Sequence, residues 1–210
     1  MKTIIPILSC IFLLLAACTS SNKNTTNTQS TNDSLATVDP VEDTRQLTEV
    51  ITRFVRAYVS KDNQKANKLI HPDLGLYIIY RPGAMDTYQH IDSLDFNTPV
   101  PQHFPYNGVK NDFALTFDNL PVFDCGTDKW DKLGLVVDTS KNADQLTYIA
   151  QFKHKFEEIT DDELAQIKAV EKDCYRVILT NGDNLIFHVK KYKGAWYVFL
   201  LDRAYGWCDA

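Results

Sequence analysis

Apolar residues recur every three or four positions between Arg45 and Val59, the spacing of one face of an amphipathic helix. Asp43 or Thr44 is expected to cap this helix, since short polar side chains accept hydrogen bonds from the first turn. A shorter helix is expected at Asn63–Ile70, where a nearby proline stops it. The helical spacing ends there, and the short run of aliphatic and aromatic residues at Leu76–Tyr80 predicts a strand.

The middle of the chain has a weaker pattern. Residues 84–133 are rich in Pro, Asp, Asn and aromatic residues, and short strands are expected near Ala114–Phe117 and Leu135–Val137. Two helices are expected at Asn142–Phe156 and Asp161–Glu171, and a Thr-x-x-Glu capping box opens the second.

The last third of the chain predicts a three-strand meander with strands at Tyr175–Thr180, Leu185–Lys191 and Ala195–Leu201. Asn-Gly and Lys-Gly pairs supply the turns. An even number of turn residues, two or four in the first turn, would place Tyr175, His188, Tyr197 and Phe199 on one face, with His188 opposite Phe199. Both faces are then apolar, so each must be covered or must line a cavity.

The fold class that follows is α+β, with N-terminal helices packed on a curved antiparallel sheet that ends in the meander. This order of elements, carried by Leu47–Ile70 and Tyr175–Leu201, resembles the nuclear-transport-factor-2-like (NTF2-like) superfamily. The resemblance implies a cone in which a bent sheet and its helices enclose a pocket. The two later helices depart from the usual order of that superfamily.

The N-terminus predicts a secretory signal peptide, because Lys2 precedes an apolar run from Ile4 to Ala17. The run is shorter than the roughly 20 apolar residues of a membrane span. Its end, Leu15-Ala16-Ala17-Cys18, resembles the bacterial lipobox. That resemblance implies removal of residues 1–17 and acylation of Cys18, which would then anchor the protein in a membrane.

A polar tether, residues 18–40, is expected between the lipid and a single domain at 41–210. Thr19–Ser34 contains only polar residues and has nothing to bury. A flexible segment of this length reaches about 25 Å. By resemblance to lipoprotein sorting rules, Thr19 in place of Asp favours the outer membrane, and the lack of an acidic cluster favours its periplasmic side. The cell surface and the inner membrane are the less favoured alternatives.

The net charge argues against one class of partner. The chain has 22 basic and 27 acidic residues and a formal net charge of −5, which argues against binding to nucleic acid.

The cysteines predict one disulfide. Cys10 leaves with the signal and Cys18 is acylated, so Cys125, Cys174 and Cys208 remain in an oxidising compartment. Cys174 starts the first strand of the meander and Cys208 follows the last, which places them at opposite ends of the sheet. A disulfide needs Cα atoms within about 7 Å. We therefore expect a Cys125–Cys208 bridge and a buried free thiol at Cys174.

No sequence motif indicates a catalysed reaction. Nucleotide-binding glycine loops, a GxSxG elbow, HExxH, paired CxxC and EF-hand spacings are all missing, so no catalytic residue, metal site or cofactor is predicted. Tyr88, His90, Asp92 and Asp95 are expected in a solvated loop. The segment Pro99–Pro105 is either a lid or a simple connection.

Three roles remain open from the sequence. The favoured one is a non-catalytic binding or accessory module for a small apolar or aromatic ligand or an envelope protein, with a possible pocket at Tyr175, His188, Tyr197 and Phe199. The second, implied by superfamily members such as ketosteroid isomerases, is an enzyme using His188 and Tyr197 as an acid–base pair. The third is an envelope scaffold whose core is filled by its own side chains.

Overall fold

A computed structural model describes residues 39–181, 183–206 and 208. The predicted signal peptide, Cys18, nearly all of the tether and Trp207 lie outside the described residues. The helices are α1 (Pro40–Val59), α2 (Asn63–Asn67), α3 (Gln145–Lys155) and α4 (Asp161–Glu171). The strands are β1 (Leu76–Tyr80), β2 (Thr87–Ile91), β3 (Leu115–Phe117), β4 (Phe123–Asp124), β5 (Lys129–Trp130), β6 (Gly134–Val137), β7 (Cys174–Asn181), β8 (Asp183–Tyr192) and β9 (Ala195–Asp202).

Capping decides where the helices begin. The side chain of Asp39 accepts a hydrogen bond from the Val41 amide, and Pro40 occupies the first turn, so α1 begins before the predicted Arg45. The expectation that Asp43 or Thr44 caps this helix was therefore wrong. The capping box of α4 is confirmed, since Thr160 and Glu163 bond reciprocally.

The protein is a mixed α+β structure built on one curved, mostly antiparallel sheet. Its seven strands lie in the order β2-β1-β9-β8-β7-β6-β3, and β4 and β5 form a separate two-stranded ribbon. The predicted meander β7-β8-β9 occupies the centre. Two of the pairings, β1 with β9 and β3 with β6, are parallel. The carboxyl ends of β1 and β9 therefore meet at one edge.

The predicted register of the meander was wrong at two places. Asn181 pairs with Asp183, so the first turn reverses the parity expected from a two- or four-residue turn. A β-bulge then places His188 opposite Leu200 instead of Phe199. The second turn does have two residues, since Tyr192 pairs with Ala195.

Each face of the central sheet is covered by its own helices. On one face, α1 and α2 pack a core around Phe54 and Phe187, whose ring centroids are 4.8 Å apart. On the other, α3 and α4 pack a second core that includes Leu146 and Phe199. The side chains of all four residues are fully buried, so packing accounts for both apolar faces.

Of the four residues expected in a solvated loop after β1, Asp92 and Asp95 do lie in a loop, but the other two do not. Tyr88 and His90 lie on β2, an edge strand antiparallel to β1, and not in a solvated loop. The Nε2 atom of His90 lies 2.8 Å from the carbonyl oxygen of Leu74, which places the ring against the turn that enters β1.

The Cys125–Cys208 disulfide is confirmed, with Cα atoms 5.5 Å apart. It joins the C-terminal segment to the β4–β5 ribbon. Cys174 is a buried free thiol, as expected. None of the helices in residues 39–208 that the structure describes has the length and apolar character of a membrane span.

Candidate functional site

The four residues of the expected pocket do not share one face. Tyr175 lies on the α1 side, where its ring stacks on Trp196 at 5.5 Å. Tyr197 and Phe199 belong to the α3–α4 side. The ring of Tyr197 packs on His71, with centroids 5.0 Å apart, and the His188 and Phe199 rings are 6.1 Å apart.

His188 lies in the middle of β8 and is inaccessible to solvent. Neither of its ring nitrogens has a hydrogen-bond partner within the described chain. Burial, followed by the positive charge of Arg176, holds the pKa of His188 well below its usual range, so the ring is neutral at physiological pH. A neutral imidazole has one N–H donor and one nitrogen with a free lone pair, and only the latter can bind a metal ion.

Glu171, the last residue of α4, faces His188. Its Oε1 atom lies 3.7 Å from Nδ1 of His188. The carboxylate also accepts hydrogen bonds from the amides of Leu146, at 2.9 Å, and Thr147, at 2.6 Å. These amides belong to the first turn of α3, so Glu171 serves as its cap. Burial raises the pKa of Glu171, and the two amide bonds oppose that rise.

Cys174 completes a buried cluster with these two residues. The Sγ atom, a carboxylate oxygen of Glu171 and a ring nitrogen of His188 lie within 4.8 Å of one another. Cys174 pairs with Lys190, two residues from His188, so the two side chains are diagonal neighbours on one face. Burial, followed by the nearby Glu171 carboxylate, raises the pKa of the Cys174 thiol to about 12.

A buried ion pair lies beside this cluster. Arg176, directly opposite His188 in register, donates from a terminal guanidinium nitrogen to Asp202 at 2.6 Å. Asp202 also accepts from the amides of Ala204 and Tyr205. Burial raises the pKa of Asp202, while the guanidinium and the two amides lower it.

A surface cleft of about 460 Å³ opens at the edge where β1 and β9 end. Its lining comes from residues 80–83 at the end of β1, residues 203–204 after β9, and Pro101, Phe104, Pro105 and Asn107. Half of the lining is proline or aromatic, and the full set is Tyr80, Arg81, Pro82, Gly83, Pro101, Phe104, Pro105, Asn107, Arg203 and Ala204. Ligand sites in proteins have volumes of about 300–1,000 Å³ and a similar mix of apolar walls and a few polar groups.

Arg203 fixes the wall of the cleft. Its guanidinium donates to the carbonyl oxygens of Val100, Phe104, at 2.9 Å, and Pro105, at 2.7 Å. It also lies over the ring of Tyr106, 4.5 Å from the centroid. The segment that the sequence left as lid or connection is therefore fastened to the end of β9, and the cleft is preformed.

A second cation supports the same wall from behind. Lys61 donates to the carbonyl oxygens of Tyr106 and Asn107 and lies 4.1 Å from the centroid of the Tyr58 ring. Burial lowers the pKa of Lys61 to about 8, and repulsion by Arg203 contributes. Among the residues that the structure describes, neither Lys61 nor Arg203 forms an ion pair with a carboxylate. Arg203 therefore places a positive charge in the lining of the cleft, and Lys61 adds to it from behind the wall.

Sequence reasoning missed both of these sites. The cleft residues come from three separate segments, and only their prolines were visible as a possible lid. Glu171-x-x-Cys174 was readable as a spacing, but the wrong register directed His188 towards Tyr175.

Comparison with known proteins adds no assignment: no protein-family model, no curated protein and no solved structure matches this chain. The geometry of the two sites therefore carries the functional argument.

Proposed function

We propose that this protein is a lipid-anchored envelope lipoprotein whose domain binds a small amphipathic acid in the cleft at the ends of β1 and β9. The anchor is Cys18, the membrane is the outer membrane, and the domain faces the periplasm. The lipobox and the polar tether support this location. The observation that carries the binding role is the preformed, mainly apolar cleft with Arg203 in its lining.

The character of the cleft suggests the chemistry of the ligand. Phe104 and the cleft prolines offer apolar walls to a flat aromatic or aliphatic body. Arg203, which lines the cleft and donates to carbonyl oxygens, attracts an anionic head group, and Lys61 adds to the attraction from behind the wall. A carboxylate or sulfonate on an apolar body satisfies both features, in line with the small apolar ligand expected from the sequence.

The NTF2-like fold is part of the same proposal. The support for it is the order of α1 and α2 before a central meander on a curved sheet. In this chain the interior that would hold a cone pocket is occupied by side chains such as Phe54 and Phe187. The ligand is therefore expected to bind in the surface cleft at the ends of β1 and β9 and not in the interior. The acid–base pair is not supported by the geometry, since His188 is sealed from solvent and Tyr197 packs on His71.

The anchor is tested by metabolic labelling with an alkynyl fatty acid. We expect the wild-type chain to incorporate the label and Cys18→Ser to incorporate none. Cys10→Ser is the matched control, because Cys10 is expected to leave with the signal peptide, and it should label like the wild type. Label on the Cys18→Ser chain would refute the lipobox assignment.

The cleft is tested by the binding of 1-naphthoate, with 1-naphthamide as an uncharged comparison of nearly the same shape. Phe104 is 49% exposed, so Phe104→Ala removes an aromatic wall at little cost to the fold. The loss of about 1 kcal/mol of aromatic contact should weaken naphthoate binding by about five- to tenfold. Titration calorimetry on the full chain in an amphipathic polymer measures it.

Phe117→Ala is the control, because Phe117 is 45% exposed on β3 and does not line the cleft. It should bind both probes like the wild type, and naphthoate should bind more tightly than naphthamide. Equal affinity of the Phe104→Ala and wild-type chains for naphthoate would reject the cleft as the binding site.

A further inference from the structure

The strongest unexplained feature away from the cleft is the buried cluster of Glu171, Cys174 and His188. The three side chains are 2%, 0% and 0% exposed. They come from the end of α4, the start of β7 and the middle of β8. Packing alone does not require a carboxylate, a thiol and an imidazole to converge in an apolar core.

The donor set is one that zinc uses. Thiolate sulfur, imidazole nitrogen and carboxylate oxygen are the three ligand types of protein Zn²⁺ sites, and a mixed set of this kind disfavours the harder Mg²⁺ and Ca²⁺ ions. All three potential ligand atoms lie within 4.8 Å of one another. We propose that Glu171, Cys174 and His188 bind one Zn²⁺ ion that ties α4 to the central sheet.

The unpartnered imidazole points independently to a ligand. His188 is fully buried, and both ring nitrogens lack hydrogen-bond partners among the described residues. Its Nδ1 atom is 3.7 Å from Oε1 of Glu171, which is too long for a hydrogen bond. Two ligands on one tetrahedral zinc, each bonded at about 2.1 Å, lie roughly 3.4 Å apart. A metal between the two groups needs only a small adjustment.

Charge balance favours a divalent cation. Of the buried charged side chains around the cluster, Arg176 and Asp202 offset each other at 2.6 Å, so an ionised Glu171 is the remaining buried charge; the ammonium group of Lys190 lies nearer the surface. Zinc binding converts the Cys174 thiol to a thiolate and releases its proton to solvent. Two negative ligands and Zn²⁺ then sum to zero. A water molecule is expected to fill the fourth tetrahedral position.

The Glu171 carboxylate is already held in position by two backbone amides. The amides of Leu146 and Thr147 hold the Glu171 carboxylate, which orients one ligand and links the cluster to α3. The cluster has no exposed side chain, so the ion must enter while the chain folds. Zinc would therefore contribute to the stability of the domain and not to the chemistry of the cleft.

The test uses the full chain in mild detergent. The chain is unfolded in a denaturant that contains a chelator, and is then refolded, with the chelator removed, in the presence of ZnCl₂ or CoCl₂. We expect one zinc per chain after gel filtration, and a thiolate-to-cobalt charge-transfer band with the cobalt-loaded protein. Cys174→Ala and His188→Gln should lose stoichiometric binding. Chelation during refolding should lower the thermal midpoint of the wild type but not that of Cys174→Ala.

Val177→Ala is the matched control, because Val177 is a buried residue of the same strand on the opposite face. It should reduce stability and still bind one zinc. A wild-type chain that refolds without zinc and shows no cobalt–thiolate band overturns the proposal, whatever the variants do. So does zinc bound equally by wild type and Cys174→Ala, which would place the ion elsewhere.

Discussion

Replacing Arg176 with methionine is expected to lower the free energy of unfolding by about 3–5 kcal/mol, because it leaves the buried Asp202 without its cationic partner. Asp202 is 5% exposed and Arg176 is 8% exposed, so water cannot replace the lost hydrogen bond of 2.6 Å. The amides of Ala204 and Tyr205 would be the remaining donors to the carboxylate. Urea unfolding at neutral pH measures the loss.

The pH dependence of this variant has a definite sign. Burial already raises the pKa of Asp202 above its usual value, and removing Arg176 raises it further. A group whose pKa is raised by folding destabilises the protein when it ionises. The deficit of Arg176→Met is therefore complete at neutral pH and shrinks as the pH falls through the folded-state pKa of Asp202. A deficit that grows on acidification would contradict this account.

Two controls separate the buried charge from lost packing. The double variant Arg176→Met/Asp202→Asn should recover much of the stability, because no unpaired charge remains. Arg53→Met breaks a pair with Glu49 in which both side chains are about half exposed, at 52% and 46%. It should change stability by no more than about 0.5 kcal/mol.

Cys208→Ser is expected to cost about 2–4 kcal/mol of stability. The disulfide to Cys125 spans 83 residues, and opening so long a loop restores much conformational freedom to the unfolded chain. The described contacts on the C-terminal segment are modest, such as the Trp130 and Tyr205 rings at 5.7 Å. Chemical denaturation under non-reducing conditions measures the difference.

The matched controls all remove the same Cys125–Cys208 disulfide. Cys125→Ser should lose as much as Cys208→Ser, and the double variant should lose no more than either, because all three remove the same cross-link. Reduction of the wild type should have the same effect. Additive losses would show that each cysteine acts through separate contacts.

Local signals predicted the elements well. The bounds of β1 and α4 follow directly from the strand pattern and the capping box. The beginning of α1 was missed because Asp39-Pro40, an N-cap followed by proline at the first helical position, lies before the periodic apolar run. β2 was missed because an exposed edge strand carries little hydrophobic signal.

The candidate sites could not be predicted from the sequence because they depend on the register between the strands. One residue in the first turn of the meander reverses every side chain of β7 relative to β8, and this moved Tyr175 away from His188. The bulge at Phe199 is a second such shift. The cleft also unites the ends of β1 and β9, a parallel pairing between distant segments that no local pattern records.

The most direct test of the account identifies what the cleft holds in the cell. The full chain would be extracted from its own membranes with a styrene–maleic acid copolymer and denatured, and the released small molecules identified by mass spectrometry. We predict one class of amphipathic acid, enriched on wild-type and Phe117→Ala chains and depleted on Phe104→Ala. The same molecules in the same amounts from all three chains would contradict a binding role for the cleft.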